Sequence, residues 1–421
     1  MFSADDRIAG FDPALAAALE GERLRQENFM ELIASENYVS PRVLEAQGST
    51  LTNKYADGYP GDRHYSGCRF VDEAEQLAVE RAKRLFGAAY ANVQPYSGSQ
   101  ANAAAYFALM SPGDTLLGLS ASHGGHITHG DSSSFAGRLF NAIGYGLGAN
   151  GEIDYEQVAR LAERHRPSVI VAGFSAYSRI VDWQCLRDIA DAVGAFLLAD
   201  MAHVAGLVAA GLYPNPVPIA DVTTTTTHKT LRGPRGGMIL ARDNSELARR
   251  LDESVYPCTQ GGPLMHVIAA KAVALEEALQ PEFRDYQRRV LANARQAGHR
   301  LTERGFTIVS GGTDNHMLLI DLSARGIDAQ RAEQVLETAH IAVNWVHLPG
   351  PAPGGEVVRG LRIGTPAVTT RGVGADEIDR LSDWVADVLD DIESQATIAG
   401  IRESVRAMCA AFPVYGRGRS G

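Results

Sequence analysis

The chain has 421 residues, 45% of them apolar and 21% charged, with a formal net charge of −11 from 39 basic and 50 acidic residues. This length predicts two domains that share a core, and the acidic balance argues against a basic face for nucleic acid. No apolar run approaches the length of a membrane span, so we predict no membrane association.

The cysteines and the amino terminus indicate the compartment. The four cysteines are scattered, with no C-x-x-C pair that would suit zinc binding or redox chemistry. The first residues lack the basic start and apolar core of a signal peptide. We therefore expect a cytoplasmic protein.

The first predicted element is a helical arm, because leucines and Phe29 recur at loosely helical spacing over residues 12–32. Such an arm either packs on a second subunit or caps its own domain. Ser40 followed by Pro41 predicts the start of a further helix. Residues 53–69 are rich in glycine, tyrosine and charge without any period, which indicates a loop that carries function. A tyrosine-rich contact between subunits is the other interpretation of this loop.

A phosphate-binding turn is predicted after a helix at 71–86. The segment Y-S-G-S-Q-A-N precedes a helix expected at 103–110, and it clusters Ser97, Gly98 and Ser99. Hydroxyl groups, backbone N–H groups and the positive end of a helix dipole together form a cradle for an anion. A simple serine cap is the alternative, but it would explain only one of the two serines.

Three histidines, His123, His126 and His129, occur in the segment S-H-G-G-H-I-T-H-G and invite a metal interpretation. The glycines leave no helix to align the rings, and no cysteine or paired acid lies nearby in the sequence, so we predict no bound metal. The G-L-G-A-N-G run at 146–151 fits a dinucleotide motif only formally, because a better helix start lies after it at Asp154.

Chemistry is predicted at the ends of two strands. The apolar run at 195–200 indicates a buried parallel strand with Asp200 at its carboxyl end, where ligands of open α/β sheets bind. Consecutive threonines predict a second strand, which delivers His228 and Lys229 to a Gly/Pro-rich turn. A lysine against apolar walls has a lowered pKa, as an imine-forming amine requires. An isolated lysine here would be read as a surface residue, but a strand-end aspartate with a strand-end lysine suits a pyridoxal phosphate enzyme.

An α+β region is predicted beyond a domain boundary near residue 280, and it begins with a long amphipathic helix from Pro281. Its further predicted elements are strands near 307–309 and 317–321 and helices near 329–338 and 377–392. The frame G-L-R-I-G-T-P places Arg362 in a short strand. Because burying an unpaired arginine is costly, we expect either a structural salt bridge or a substrate carboxylate, which its planar fork can bind bidentately.

The segments D-M-A-H-V-A-G-L-V-A and T-T-T-T-H-K-T-L-R-G-P-R-G-G resemble the serine hydroxymethyltransferase family, and the resemblance extends from about Leu32 to Tyr415. It implies pyridoxal 5'-phosphate as the cofactor and a homodimer with shared active sites. It also implies an α/β fold with an aspartate-aminotransferase-like large domain, whose sheet is mostly parallel, and a smaller α+β C-terminal domain. The predicted domains are an N-terminal helical arm at 1–34, a large cofactor-binding domain at 35–280 and a small domain at 281–421.

The same resemblance implies the site residues. The catalytic candidates are Lys229, Asp57, Tyr65, His126 and His228. The cofactor-binding candidates are Ser97, Gly98, Ser99, His126, Ser175, Asp200, His203, Thr226, His228, Lys229, Tyr55, Gly261 and Gly262. The substrate-binding candidates are Ser35, Tyr65 and Arg362. The tyrosine-rich loop and the loop at 261–262 are expected to serve the active site of the second subunit.

Five positions depart from the family pattern. Asp57 replaces glutamate, His64 replaces tyrosine, Ala121 and Ile127 replace leucine, and Val346 replaces asparagine. The segment at 344–360 also differs from the family in most of its residues. In the family these positions face tetrahydrofolate. Because aspartate is shorter than glutamate, the Asp57 carboxylate would be misplaced for proton transfer to the folate.

These departures favour a folate-independent aldolase that cleaves α-methylserine to alanine and formaldehyde, with a small amino acid and an aldehyde as its partners. Use of tetrahydrofolate is left open. The alternatives are an ordinary tetrahydrofolate-dependent serine/glycine hydroxymethyltransferase, a threonine-type transaldolase, an aminotransferase of the same fold and a non-catalytic scaffold. The scaffold is disfavoured because an idle site would be free to lose Lys229, Asp200 and Arg362.

Overall fold

The structure is a computed structural model, and it describes residues 2–3, 5–351 and 357–416. Its helices are α1 (Ile8–Phe11), α2 (Pro13–Asn28), α3 (Pro41–Gln47), α4 (Arg69–Phe86), α5 (Gly98–Leu109), α6 (Phe135–Leu139), α7 (Tyr155–His165), α8 (Trp183–Val193), α9 (Ala205–Ala209), α10 (Ser245–Glu253), α11 (Met265–Ala278), α12 (Pro281–Glu303), α13 (Ala329–Thr338), α14 (Pro366–Arg371), α15 (Ala375–Asp390) and α16 (Gln395–Ala411). Its strands are β1 (Met30–Glu31), β2 (Gly58–Tyr59), β3 (Asp62–Arg63), β4 (Tyr90–Asn92), β5 (Thr115–Leu119), β6 (Asn141–Tyr145), β7 (Val169–Gly173), β8 (Phe196–Asp200), β9 (Val222–Thr226), β10 (Gly237–Ala241), β11 (Thr307–Ile308), β12 (Met317–Asp321), β13 (Ile341–Ala342), β14 (Asn344–Pro351) and β15 (Val357–Gly364). Part of the divergent segment at 344–360, namely 352–356, lies outside the described residues.

Seven strands form the larger sheet, in the order β4-β10-β9-β8-β7-β5-β6. The pairs β9-β8, β8-β7, β7-β5 and β5-β6 are parallel, and only β10 runs antiparallel to its neighbours in this sheet. The threonine-rich segment therefore forms a central strand, β9, as its β-branched side chains predict. The mostly parallel α/β sheet expected from the sequence is confirmed.

Both faces of the larger sheet are covered by helices. In β8, Leu197 packs with one buried cluster, to which α4, α8 and α11 contribute, and Leu198 packs with the opposite cluster, to which α5 and α10 contribute. In β7, Ile170 and Val171 divide between the same two clusters. Because neither face meets water, these strands are continuous apolar runs rather than alternating ones.

A smaller antiparallel sheet, in the order β11-β12-β15-β14, forms the C-terminal part of the protein. Residues from α12, α13, α15 and α16 cover it and bury a separate apolar cluster. Met30 and Leu32 belong to this cluster, and β1 pairs in parallel with β13. The chain directly after the N-terminal arm is thus built into the C-terminal core.

The long helix α12 bridges the two cores. Its first half places Phe283 and Val290 in the core of the larger sheet, and its second half places Leu301 in the C-terminal core. We propose the domain division at 1–34, 35–280 and 281–421 on this basis, with α12 as the connecting helix. Residues 417–421 lie outside the described part.

Three predicted helix starts can be compared with the structure. The Ser40 hydroxyl accepts a hydrogen bond from the backbone of Val43, and Asp154 caps α7 in the same way. The helix predicted at 103–110 begins earlier, at Gly98, because the Ser97 side chain accepts from the Gln100 backbone and caps it there. In the described part of the chain, no helix combines the length and apolarity that a membrane crossing needs.

Candidate active site

Parallel strands end at a buried cavity of about 240 Å³. β7 ends at Gly173, β8 at Asp200 and β9 at Thr226, so the residues that follow these strands share one edge of the sheet. Ten predicted site residues line the cavity together: Ser35, Ser97, Gly98, Ser99, His126, Ser175, Asp200, Thr226, His228 and Lys229. Five residues that the sequence did not single out complete it: Glu36, Asn102, Phe174, Ala202 and Arg235.

Lys229 follows β9 and offers the cavity an amine. Burial disfavours the charged ammonium and lowers the pKa of Lys229 to about 8; the nearby Asp200 carboxylate opposes this shift, while Arg362 and Arg235 add to it. About a tenth of this amine is therefore unprotonated at pH 7, far more than for an ordinary lysine. That is the state in which an amine attacks a carbonyl.

Asp200 is held in place by a set of hydrogen bonds. Asn102 Nδ2 donates to its Oδ2 at 3.0 Å, His129 Nε2 lies 3.0 Å from the same oxygen, and the backbone N–H of Ala202 donates to its Oδ1 at 3.0 Å. Burial alone would raise the pKa of Asp200, but the hydrogen bond and charge of His129 outweigh burial and hold the pKa well below its ordinary value. The carboxylate is therefore ionised at neutral pH.

The segment predicted to bind an anion lies at the N-terminus of α5. Ser97 Oγ accepts from the backbone of Gln100, which leaves its own hydroxyl proton free to donate. Gly98 is required by close packing, because a Cβ at this position would lie 2.6 Å from Thr226 Cγ2. Backbone N–H groups and hydroxyls thus converge at a helix end, which suits a phosphate group.

The two cavity histidines are neutral at physiological pH. Burial lowers the pKa of His126 to about 4 and that of His228 to about 3. His126 Nδ1 lies 2.7 Å from Thr128 Oγ1, whereas the buried Nδ1 of His228 has no partner among the described residues. The predicted cofactor residue His203 does not line the cavity; it lies behind Phe174, with which its ring stacks at a centroid distance of 6.3 Å.

Arg362 lies in β15 and is only 8% exposed. Its guanidinium donates to Asn344 Oδ1 at 3.2 Å, to the Ser175 carbonyl at 2.5 Å and to Ser35 Oγ at 3.4 Å. Burial lowers the pKa of Arg362 to about 10. Within residues 5–351 and 357–416 it pairs with no carboxylate, so the structural salt bridge considered from the sequence does not form there.

The other predicted residues form a second cluster, which we call the loop cluster: Tyr55, Asp57, Tyr65, Gly261 and Gly262. None of them lines the Lys229 cavity. The rings of Tyr55 and Tyr65 meet edge to face at 4.9 Å, and these side chains are 57% and 48% exposed. A Cβ on Gly262 would lie 2.6 Å from Asp57 Oδ1, so the two loops touch each other. One chain therefore carries two separate sets of predicted site residues.

His126, His129 and Asp200 place their ligand atoms within 4.8 Å of one another, close enough to hold a metal ion. We expected no acid near the histidines. This prediction was wrong, because β8 places Asp200 beside His129. His123 does not join this group, since its Nδ1 accepts from the backbone of Leu147 at 3.0 Å. His129 is hydrogen-bonded to Asp200, and His126 is hydrogen-bonded to Thr128. The absence of a metal stays a prediction.

Asn102 and His129, which hold Asp200, were not among the predicted site residues. Asn102 and His129 both occur in segments that were singled out, S-G-S-Q-A-N and S-H-G-G-H-I-T-H-G, but their partner lies about 70 to 100 residues away in the chain. Their amide and imidazole groups, which can donate hydrogen bonds to a carboxylate, were the sign that the sequence offered. Only the strand order shows which carboxylate they reach.

The comparison with known proteins agrees with this geometry. The family model described as serine hydroxymethyltransferase matches residues 8–385. Three proteins named serine hydroxymethyltransferase are similar to this chain over 99% of its length and 100% of theirs: that of Alkalilimnicola ehrlichii at 64% identity, that of Methylococcus capsulatus at 61% and that of Halorhodospira halophila at 59%. The chain therefore belongs to the serine hydroxymethyltransferase family, a family of pyridoxal-phosphate-dependent enzymes.

Proposed function

We propose that this protein transfers the hydroxymethyl group of serine to tetrahydrofolate, with glycine as the amino-acid product. The observation that carries the proposal is one cavity that contains both the Lys229 amine and the Asp200 carboxylate. Behind its wall lies the Arg362 guanidinium, which pairs with no carboxylate in the described part of the chain. Family membership implies pyridoxal phosphate as cofactor and tetrahydrofolate as the one-carbon acceptor.

The residues of the cavity fit pyridoxal phosphate. The phosphate would bind at Ser97, Gly98 and Ser99, where the α5 dipole and the free hydroxyl protons favour a dianion. The ring nitrogen would face Asp200, whose ionised state favours a protonated pyridine. Lys229 would hold the cofactor aldehyde covalently. When bound, the cofactor supplies an electron sink for the negative charge that develops at Cα of the amino acid.

The substrate carboxylate would bind to Arg362 and Ser35. Both lie at the same wall of the cavity, because the Arg362 guanidinium contacts Ser35 Oγ and the Ser175 carbonyl. A guanidinium binds a carboxylate with two parallel hydrogen bonds, which fix the orientation as well as the position of the amino acid. Arg362 would therefore contribute mainly to binding of the amino acid.

Breaking the Cα–Cβ bond of serine requires a base for its hydroxyl proton. His126 and His228 are neutral imidazoles within the cavity, and each has a lone pair that can accept a proton. Their lowered pKa values, about 4 and about 3, make both weak bases. Asp57 and Tyr65 are the other candidates, and they would reach the substrate from a second copy of the chain.

A homodimer with shared active sites is part of the proposal. No residue of the loop cluster lines the Lys229 cavity of its own chain, although these residues are expected at the cofactor. The arm helix α2 has no buried residue and exposes Leu15, Leu19 and Leu24. A second copy would cover such exposed apolar side chains and bring its loop cluster to the first cavity.

The comparisons favour the ordinary tetrahydrofolate-dependent reaction over the folate-independent aldolase that we preferred from five substitutions. Relatives that are 59 to 64% identical over the whole chain are named hydroxymethyltransferases. The five positions fall into two groups in one chain. Asp57 and His64 lie in the tyrosine-rich loop, where the His64 N–H donates to the Asp57 carbonyl at 3.0 Å, and Ala121, Ile127 and Val346 lie in the turns after β5 and in β14, which packs on the first of these turns. The scaffold, aminotransferase and transaldolase alternatives have no comparable support.

The experiment is to measure cleavage of serine and of α-methylserine with and without tetrahydrofolate. We expect serine to be the better substrate and tetrahydrofolate to accelerate its cleavage strongly. Rapid release of free formaldehyde from α-methylserine, unchanged by tetrahydrofolate, would refute the proposal and restore the aldolase.

One substitution tests whether Asp57 takes part in the tetrahydrofolate-dependent step. Asp57→Glu restores the longer carboxylate of the family, so it should raise the tetrahydrofolate-dependent rate by more than it changes the slow folate-independent cleavage. Asp62→Glu makes the same change at an exposed position of the same loop and serves as the matched control. Equal effects of both substitutions would show that Asp57 has no special part in the folate step.

A further inference from the structure

Lys271, on α11, is a second buried lysine that the proposed mechanism does not use. It is only 1% exposed, and its ammonium donates to the carbonyl oxygens of Val93 at 2.6 Å, Pro95 at 3.0 Å and Gly237 at 2.8 Å. Three acceptors match the three N–H groups of an ammonium ion, whereas a neutral amine would direct its lone pair at one carbonyl oxygen. The contacts therefore favour the charged form.

The charge of Lys271 has no direct counterion among the described residues. Burial lowers the pKa of Lys271 to about 7, and the charge of Glu75 opposes that shift. Glu75, however, already accepts from Arg63 at 2.5 Å and from Gln94 at 2.8 Å. Burying an ammonium is costly, and an anion close to Lys271 would offset part of that cost.

The carbonyls that bind Lys271 frame the anion cradle. Pro95 lies two residues before Ser97, the cap of α5, and Gly237 is the first residue of β10. The two segments also bond directly, since the Gly237 N–H donates to the Pro95 carbonyl at 3.0 Å. A Cβ on Gly237 would lie 2.3 Å from the Ser97 carbonyl oxygen, so the segments are in tight contact.

The amino-acid usage of the chain agrees with a special requirement at this position. The sequence contains 35 arginines and only 4 lysines. A Cβ on Gly236 would lie 2.4 Å from Lys271 Cε, so the lysine stem fills the space beside a glycine. One compact ammonium donates to three carbonyl oxygens at once, an arrangement that suits lysine better than the planar guanidinium of arginine.

We propose that Lys271 is a positioning residue for the phosphate group of the cofactor. Its hydrogen bonds hold the two segments of the cradle together, and its positive charge behind Ser97 and Gly98 favours the phosphate dianion. The inference rests on the proposed pyridoxal phosphate site. It concerns a residue outside the cavity lining, which acts through the cradle backbone and not by touching the cofactor.

The test compares pyridoxal phosphate with pyridoxal, which lacks the phosphate. Dissociation constants of both ligands are measured for the wild-type apoprotein and for Lys271→Met. We expect the variant to weaken pyridoxal phosphate binding about tenfold or more, equivalent to about 1.4 kcal/mol, and to leave pyridoxal binding within about twofold. Lys83→Met, in the last turn of α4, is the matched control and should change neither constant.

The outcomes separate this inference from the proposed function. A wild-type apoprotein that binds neither ligand would refute the proposed function itself. A variant that loses both ligands equally, or neither, would refute the role of Lys271 while the cofactor site stands. If Lys271→Met does not fold, Lys271→Gln keeps a hydrogen-bond donor without the charge and should show the same selective loss.

A second test measures the pKa of the bound phosphate, first in the wild-type protein. A free phosphate monoester has a second pKa of about 6, which ³¹P NMR follows through its chemical shift. We expect the bound phosphate of the wild-type holoenzyme to stay dianionic down to about pH 5.5, and its pKa to move back towards about 6 in the Lys271 variants. A wild-type pKa near that of the free cofactor would overturn the inference.

Discussion

Replacement of Arg362 by alanine should raise the KM for serine and leave kcat nearly unchanged. The guanidinium is buried and pairs with no carboxylate in the described part of the chain. It would meet the carboxylate of the amino acid in the ground state and in the transition state alike. An interaction of equal strength in both states contributes to binding and not to the chemical step.

The size of the increase in KM follows from the number of Arg362 N–H groups that are free to bind the substrate. Arg362 has five N–H donors, and three are directed at Asn344, Ser175 and Ser35. One N–H on each terminal nitrogen is left for a substrate, which makes a bidentate fork. Each charge-assisted hydrogen bond contributes about 1.5–3 kcal/mol, so loss of the pair costs about 3 kcal/mol or more, which corresponds to about 150-fold in KM.

The assay is steady-state kinetics with serine at saturating tetrahydrofolate. Arg362→Lys should fall between the wild type and the alanine variant, because a point charge on a flexible stem cannot span both carboxylate oxygens. Arg359→Ala is the matched control, since Arg359 lies on the same strand but is exposed and stacks over Trp345. A fall in kcat at unchanged KM, or a comparable effect of Arg359→Ala, would refute the reasoning.

Three further predictions concern the same cavity. Asp200→Asn should lower kcat more than it raises KM, because an uncharged partner weakens the electron sink; proportionate changes in both constants would argue against this role. A Lys229→Ala chain mixed with a Tyr55→Phe chain should regain activity in one of the two sites of the mixed dimer, and verified mixed dimers without activity would disprove the shared site. The pKa of Lys229 is lowered to about 8, so the rate at which the apoprotein captures pyridoxal phosphate should rise as pH increases towards 8 and level off above it. A rate independent of pH between 7 and 9 would show that another group captures the cofactor.

The strands and their ends could be predicted because the evidence for them is local. Apolar runs and consecutive β-branched residues indicate strands, and parallel strands bring their carboxyl ends to one edge of a sheet. Asp200 and Lys229 therefore meet in one cavity as their positions suggest. The separate predictions for Ser35 and Ser97 also converge there, although only the resemblance to a family connected them beforehand.

Contacts between distant segments could not be read from the sequence. His129 and Asn102 reach Asp200 because β8 lies near α5 and the turn after β5, and periodicity carries no information about such neighbours. The start of α5 was predicted late because its first residues are polar, and the cap at Ser97 decides the boundary instead. Lys271 was overlooked for a similar reason, since a lysine in an apolar helix gives no sign of which carbonyls it will meet.

The most direct test of the account is to identify the lysine that carries the cofactor. The chain has only four lysines, Lys54, Lys83, Lys229 and Lys271, so borohydride reduction of the holoenzyme followed by peptide mapping gives an unambiguous answer. We predict one reduced adduct per chain, on Lys229, and none in the Lys229→Ala variant. An adduct on another lysine of the wild type, or an unchanged yield in Lys229→Ala, would contradict the assignment of this cavity as the pyridoxal phosphate site.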